Sequence, residues 1–163
     1  GASARGQDAA ELARLAALKW EIPCELGIVA SSLAEIDASV RSNPKAEVTG
    51  MLLAEAGWFD PGLLGVCLFH RTWVGNVFLD FLAAHPNATH VRGVGSGLLH
   101  QLCGISRQLH AGLIWGETTA QSVSFYARAF GLGEADDRLL VTTELQDVFC
   151  QDLEVLWRAS HRP

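Results

Sequence analysis

Three glycines at alternate positions, Gly93, Gly95 and Gly97, stand inside the run His90-Val91-Arg92-Gly93-Val94-Gly95-Ser96-Gly97-Leu98-Leu99. An apolar strand-like segment precedes the run and an amphipathic helix-like segment follows it. With no Cβ in the way, the backbone can come close to a ligand here. The start of the next helix leaves unpaired N–H groups and a positive dipole end, and together these make an anion site. The chemistry indicated is the binding of a phosphorylated molecule. A second candidate is Asp80, in the middle of Phe78-Leu79-Asp80-Phe81-Leu82. A carboxylate in an apolar strand needs a reason. A base of raised pKa, an anchor for a substrate ammonium and a hydrogen-bonded structural role all supply one.

The elements that must position these residues follow from periodicity. Asp8 to Trp20 and Ser32 to Arg41 carry helical spacing, the second capped by Ser31 or Ser32 and stopped at Asn43-Pro44. Val48 to Ala54 and Leu63 to His70 read as antiparallel strands joined through Gly57-Trp58-Phe59-Asp60-Pro61-Gly62, and Val77 to Ala84 as a third strand closed by His85-Pro86. Gly95 to Leu109 has Leu98, Leu99, Leu102, Ile105 and Leu109 on one helical stripe. Leu113 to Glu117 is a strand, Gln121 to Phe130 a helix and Arg138 to Thr143 a strand. The tail from Leu145 to Ala159 fits a helix, and a strand pair also fits. The order is mixed α/β with a meander first.

The whole chain bounds the answer. At 163 residues it is expected to be one domain, 1–163. No apolar run reaches the ~18 residues of a membrane span, and no secretory leader is expected; Gly1-Ala2-Ser3-Ala4 reads as a trimmed terminus, with native residues expected upstream. The formal charge is −6, with Lys19 and Lys45 the only lysines, which argues against nucleic acid and gives no reason to expect a membrane partner. Cys24, Cys67, Cys103 and Cys150 show neither CxxC pairing nor zinc spacing, so buried reduced thiols and a cytoplasmic location are expected. His70, His100, His110 and His161 are not clustered like ligands, and no metal is expected.

Three phosphate-loop patterns fail on spacing. A dinucleotide fingerprint counted from Gly93 puts Leu98 where its third glycine belongs, a Walker loop has no lysine here, and a nucleophile elbow finds Val94 in place of glycine. The stretch Leu82-Ala83-Ala84-His85-Pro86 followed by Gly93-Val94-Gly95-Ser96-Gly97-Leu98-Leu99 resembles instead the fourth strand, pyrophosphate loop and third helix of the GNAT superfamily of acyl-CoA-dependent N-acyltransferases. The family loop reads Arg/Gln-x-x-Gly-x-Gly/Ala. One register puts Arg92, Gly95 and Gly97 on it. The preferred one puts His90, Gly93 and Gly95 there, with His90 replacing the usual arginine or glutamine. Leu113-Ile114-Trp115-Gly116-Glu117-Thr118 looks like the fifth strand. Ser122-Val123-Ser124-Phe125-Tyr126-Ala127-Arg128, ending in Phe130-Gly131-Leu132, is similar to the fourth helix with one residue extra before Gly131. The resemblance spans about Val48 to Thr143; the family's first strand is not evident.

The resemblance implies an α/β GNAT fold, a mixed but mostly antiparallel sheet flanked by helices, with the family's strands 4 and 5 splayed to admit the pantetheine arm. The N-terminal helices then occupy 1–46, the cofactor-binding core 47–143 and a C-terminal segment 144–163. Acetyl-CoA or CoA would contact Leu82, Ala83, Ala84, His90, Val91, Arg92, Gly93, Val94, Gly95, Ser96, Thr118 and Tyr126. Acyl transfer to an amine needs a base, polarisation of the thioester oxygen and a proton for the departing sulfur. Tyr126, the only tyrosine, stands where many relatives keep the residue that protonates the CoA sulfur. Glu117, ending its strand where the site opens, is either a general base or a solvated carboxylate; Asp80 is the third catalytic candidate. Trp58 and Trp73 could wall an acceptor pocket or simply pack.

The expected function is therefore direct N-acetyl transfer from acetyl-CoA to a small-molecule or protein amine, by a homodimer. A non-catalytic acyl-CoA-binding regulatory module and a domain acting on an acyl carrier protein are the alternatives.

Overall fold

The computed structural model describes Arg14 and residues 32–60, 62–88, 90–133 and 137–160. The helix expected over Asp8 to Trp20, and Cys24, lie outside these. Ser32 caps the first helix, α1 (Leu33–Ser42), by accepting the Glu35 N–H at 3.2 Å, and the chain leaves it at Asn43. Three strands then form a meander: β1 (Val48–Glu55), β2 (Leu63–Arg71) and β3 (Val77–Ala84). Helix α2 (Val94–Gln108) returns the chain to β4 (Leu113–Glu117), and the short α3 (Val123–Phe130) leads to β5 (Arg138–Thr142). The tail is a helix, α4 (Thr143–Ser160), which decides between the two readings of that segment.

The five strands lie in the order β1-β2-β3-β4-β5, all antiparallel except β3 with β4. The sheet is thus mixed and mostly antiparallel, as expected. Alternation along the strands sorts residues onto two faces. Cys67, Phe69, Val77, Leu79, Ile114, Leu139 and Val141 are buried in one core with Leu98, Leu99 and Leu102 of α2, Tyr126 and Phe130 of α3 and Phe149 of α4. All four described helices contribute to or pack along this face. Gly65 explains how closely α2 seats on β2: a Cβ there would lie 2.7 Å from Val94 Cγ1 and 2.8 Å from the Ala83 carbonyl oxygen.

The opposite face carries a lateral row set by pairing register. His70 lies opposite Phe78, Phe78 opposite Trp115 and Trp115 opposite Leu140. The Phe78 and Trp115 rings meet edge to face at 4.5 Å, and His70 lies 5.1 Å from Phe78.

Two features shape the middle of the sheet. β2 and β3 slip register between Leu68 and Phe69, where Leu68 faces Phe81 and Phe69 faces Leu79, so Asp80 is an extra residue in a β-bulge. Bulges bend and twist a strand locally. On its other side β3 pairs with β4 only from Val77↔Ile114 to Leu79↔Gly116. Beyond that pair β3 continues to Ala84 paired only with β2, while β4 ends at Glu117. Among the described residues no helix is long and apolar enough to cross a membrane.

Candidate active site

At one end of the opening stands the glycine run. Gly93 is the N-cap of α2 in the left-handed conformation, φ 84°, with no side chain capping the helix. Glycine reaches that conformation without the steric cost a Cβ would bring. The first N–H groups of the helix, those of Val94, Gly95 and Ser96, have no carbonyl of their own helix to bond; Gly97 N–H closes the first turn on the Gly93 carbonyl. The cradle is narrower than expected at its leading edge. Val91 donates its N–H to the Ala88 carbonyl at 2.9 Å, a turn bond that takes that amide away from any ligand. Gly95 is tight against α3: a Cβ would stand 3.1 Å from the Phe125 ring, which would have to give slightly.

The flanks of this loop were partly legible. His90 and Arg92 are exposed beside it. His90 neighbours Trp58 and Phe59, each at 6.4 Å, and Phe59 stacks edge-on against His85 at 5.3 Å. Trp58 and Trp73 do not share a pocket. The β1–β2 turn that carries Trp58 lies at the loop end of the sheet, the β2–β3 turn with Trp73 at the other end. Sequence reasoning missed Arg128. It lines an open cavity of about 320 Å³ with Ser96, Phe125, Leu153 and Leu156, beside the first turn of α2.

The other expected residues surround the opening. Leu82, Ala83 and Ala84 form the end of β3 that pairs with β2 but not with β4. Thr118 follows β4 and donates its N–H to the Asp137 carbonyl at 2.9 Å. Glu117 is exposed at the end of β4, paired with Arg138 of β5 and on the same face as Trp115. Tyr126 is buried, 5% exposed, on the core face. Burial pushes its phenol well above the usual range, with the Cys67 thiol adding to the shift. Cys67 is itself pushed up to about 12, mainly by burial and secondly by the Asp80 charge. Asp80 is bonded to His70: Oδ2 lies 2.7 Å from Nδ1. His70 carries no warning in the sequence, because the hairpin alone brings it to Asp80. Among the described residues no group of three or more His, Cys, Asp or Glu is placed to hold a metal.

Loop, helix start and the end of the parallel pairing thus occur together. The sequence model described as the Acetyltransferase (GNAT) family matches residues 19–132, more than half of the chain. The chain belongs to the GNAT acetyltransferase family. No curated protein matches it. Among solved structures this GNAT chain is similar to an acetyltransferase from Bacillus cereus ATCC 14579, at 20% identity and TM-score 0.46, covering 62% of this chain and 79% of that one. It is also similar to Rv2747 from Mycobacterium tuberculosis, in complex with CoA and NLQ, at 20% identity and TM-score 0.43, covering 76% and 80%. A third, the Trypanosoma brucei acetyltransferase Tb11.01.2886, shares 18% identity with TM-score 0.41 over 66% and 75%.

Proposed function

We infer that this GNAT protein transfers an acetyl group directly from acetyl-CoA to an amine. One observation carries the reading: β3 runs on to Ala84 past its last pair with β4, Leu79↔Gly116, and the glycine run that follows it leads to the free amides of α2. A pyrophosphate on Arg92 to Ser96 would leave the pantetheine arm pointing along Leu82 to Ala84 and past Thr118. Arg128 and Arg92 offer cations to the phosphates, with His90 at the rim. Backbone N–H groups exposed where β3 loses its partner are suited to polarise the thioester oxygen.

Tyr126 supplies the proton for the leaving sulfur. A phenol is neutral at pH 7 even at its ordinary pKa of ~10, so the proton is there to give. Direct transfer fits better than an acyl-enzyme. The thiol nearest Tyr126 and Asp80 in charge coupling, Cys67, is fully buried and holds its proton up to about pH 12, and a thiol is a poor nucleophile. Glu117 presents an exposed carboxylate at the end of β4, where it would attract an arriving ammonium.

A homodimer belongs to the same reading. Phe149 and Leu153 of α4 dock on the core, while Val148 and Val155 are more than half exposed on its outer side and suit a partner copy. The free thiols of Cys67, Cys103 and Cys150 suit a reducing compartment such as the cytoplasm.

The test is calorimetric titration with acetyl-CoA, followed by thiol release with a panel of primary amines. Binding plus release supports the enzyme. Binding with no release from any amine makes the protein a regulatory acyl-CoA module, and transfer seen only with an acyl carrier protein replaces the acceptor class. Sedimentation at micromolar concentration that shows only monomer removes the dimer.

A further inference from the structure

His70 and Asp80 meet across the β2–β3 hairpin, where Asp80 is the bulge residue directly after the last β3–β4 pair, Leu79↔Gly116. The Asp80 side chain is 2% exposed, and 29% of the His70 side chain stays open. A carboxylate taken out of water requires hydrogen-bond donors to hold its charge. The imidazole meets that need through Nδ1–H, which fixes the tautomer: the proton sits on Nδ1 and the lone pair on Nε2. His70 also lies in the row with Phe78 and Trp115 on the face opposite the described helices, one residue pair short of Leu79↔Gly116. The ring is therefore held by a buried carboxylate, packed on Phe78 and partly exposed.

We propose that His70, oriented by Asp80, is the general base that deprotonates the acceptor amine. The inference rests on the acyl-transfer reading above and names the proton acceptor within it. The acceptor ammonium gives one proton to His70 Nε2, which passes it to solvent. The freed nitrogen forms the C–N bond to the thioester carbon and the C–S bond breaks. The sulfur takes the Tyr126 proton, and the second proton lost by the nitrogen restores the phenol. One amide, one thiol and one released proton balance the step. Asp80 is a positioning residue: it holds the ring in the useful tautomer and stabilises the imidazolium that forms.

The substitution that separates base from scaffold is His70→Asn, which keeps a donor near the Nδ1 position for Asp80 and removes the basic nitrogen. In the full chain, His70→Asn is expected to lower kcat for the best amine by about 10² to 10⁴. The acetyl-CoA dissociation constant and Tm should stay at parent values, and added imidazole should restore part of the rate. Nitrogen NMR of the parent should show the His70 proton on Nδ1, with the signal assigned by its loss in His70→Asn; Asp80→Asn should shift the ring to the other tautomer and reduce kcat. Parent-level kcat in a folded His70→Asn protein overturns the proposal, as does a His70 proton found on Nε2. His70→Gln serves as the second variant where Asn disturbs the fold. A parent that binds no acetyl-CoA, or releases no thiol with any amine, overturns the acyl-transfer reading first and this inference with it.

Discussion

Gly116 and Leu79 form the last parallel pair of the sheet, and they are so close that a Cβ on Gly116 would lie 2.8 Å from the Leu79 carbonyl oxygen. The obstacle is backbone, which cannot rotate aside as a side chain would. Gly116→Val should destabilise the fold by roughly 1–3 kcal/mol, the usual cost of overpacking. Urea unfolding checks it; unchanged stability would mean that β3 and β4 already separate at this pair.

The phosphate cradle predicts loss of cofactor with retention of fold. Gly95→Glu puts a bulky anion against the Phe125 ring and at the free amides of α2. Acetyl-CoA binding should vanish in calorimetry while circular dichroism stays native. A folded Gly95→Glu protein of parent affinity would refute the cradle.

Tyr126→Phe removes one oxygen from a ring that stays in its packed place. Turnover should fall by about 10² to 10⁴ with little change in acetyl-CoA affinity, the pattern of an interaction made mainly in the transition state. A variant as active as the parent would pass the acid role to water or another group.

Burial of Cys67 predicts how stability changes with pH. Its folded pKa, about 12, lies above the ~8.5 of an unfolded thiol. The stabilisation linked to that shift is complete below pH ~8.5 and is lost as pH rises toward 12. Tyr126 and Cys103, both shifted upward chiefly by burial, act in the same sense. Urea unfolding should therefore give a lower free energy at pH 10 than at pH 7, with a shallower fall in Cys67→Ala. An equal fall in both proteins would show that Cys67 is not the group responsible.

Much of the framework was readable without coordinates, for physical reasons. Val77 to Ala84 is a strand over the residues its apolar run marks, and α2 begins one residue before Gly95, because the left-handed Gly93 caps it. The stripe Leu98, Leu99, Leu102 and Ile105 is buried as its spacing requires. What escaped was whatever depends on register. The bulge at Asp80 hides in a run that stays apolar on both sides, so only the odd carboxylate hinted at it. His70 is ten residues from Asp80 along the chain and acquires a partner only when the hairpin closes. Arg128 joins the loop only when α3 packs beside α2, a tertiary event that no local pattern records.

The bulge has one more implication. Before Asp80 the core takes Val77 and Leu79; after it, Leu82, which lies opposite Cys67. Without Asp80 those same residues would still fall on the core side of an uninterrupted strand. The sheet does not need Asp80 to be a sheet. A chain lacking that residue would keep the alternation of β3 while losing the carboxylate that holds His70. On the proposed reading, the candidate site differs from an ordinary strand by a single residue.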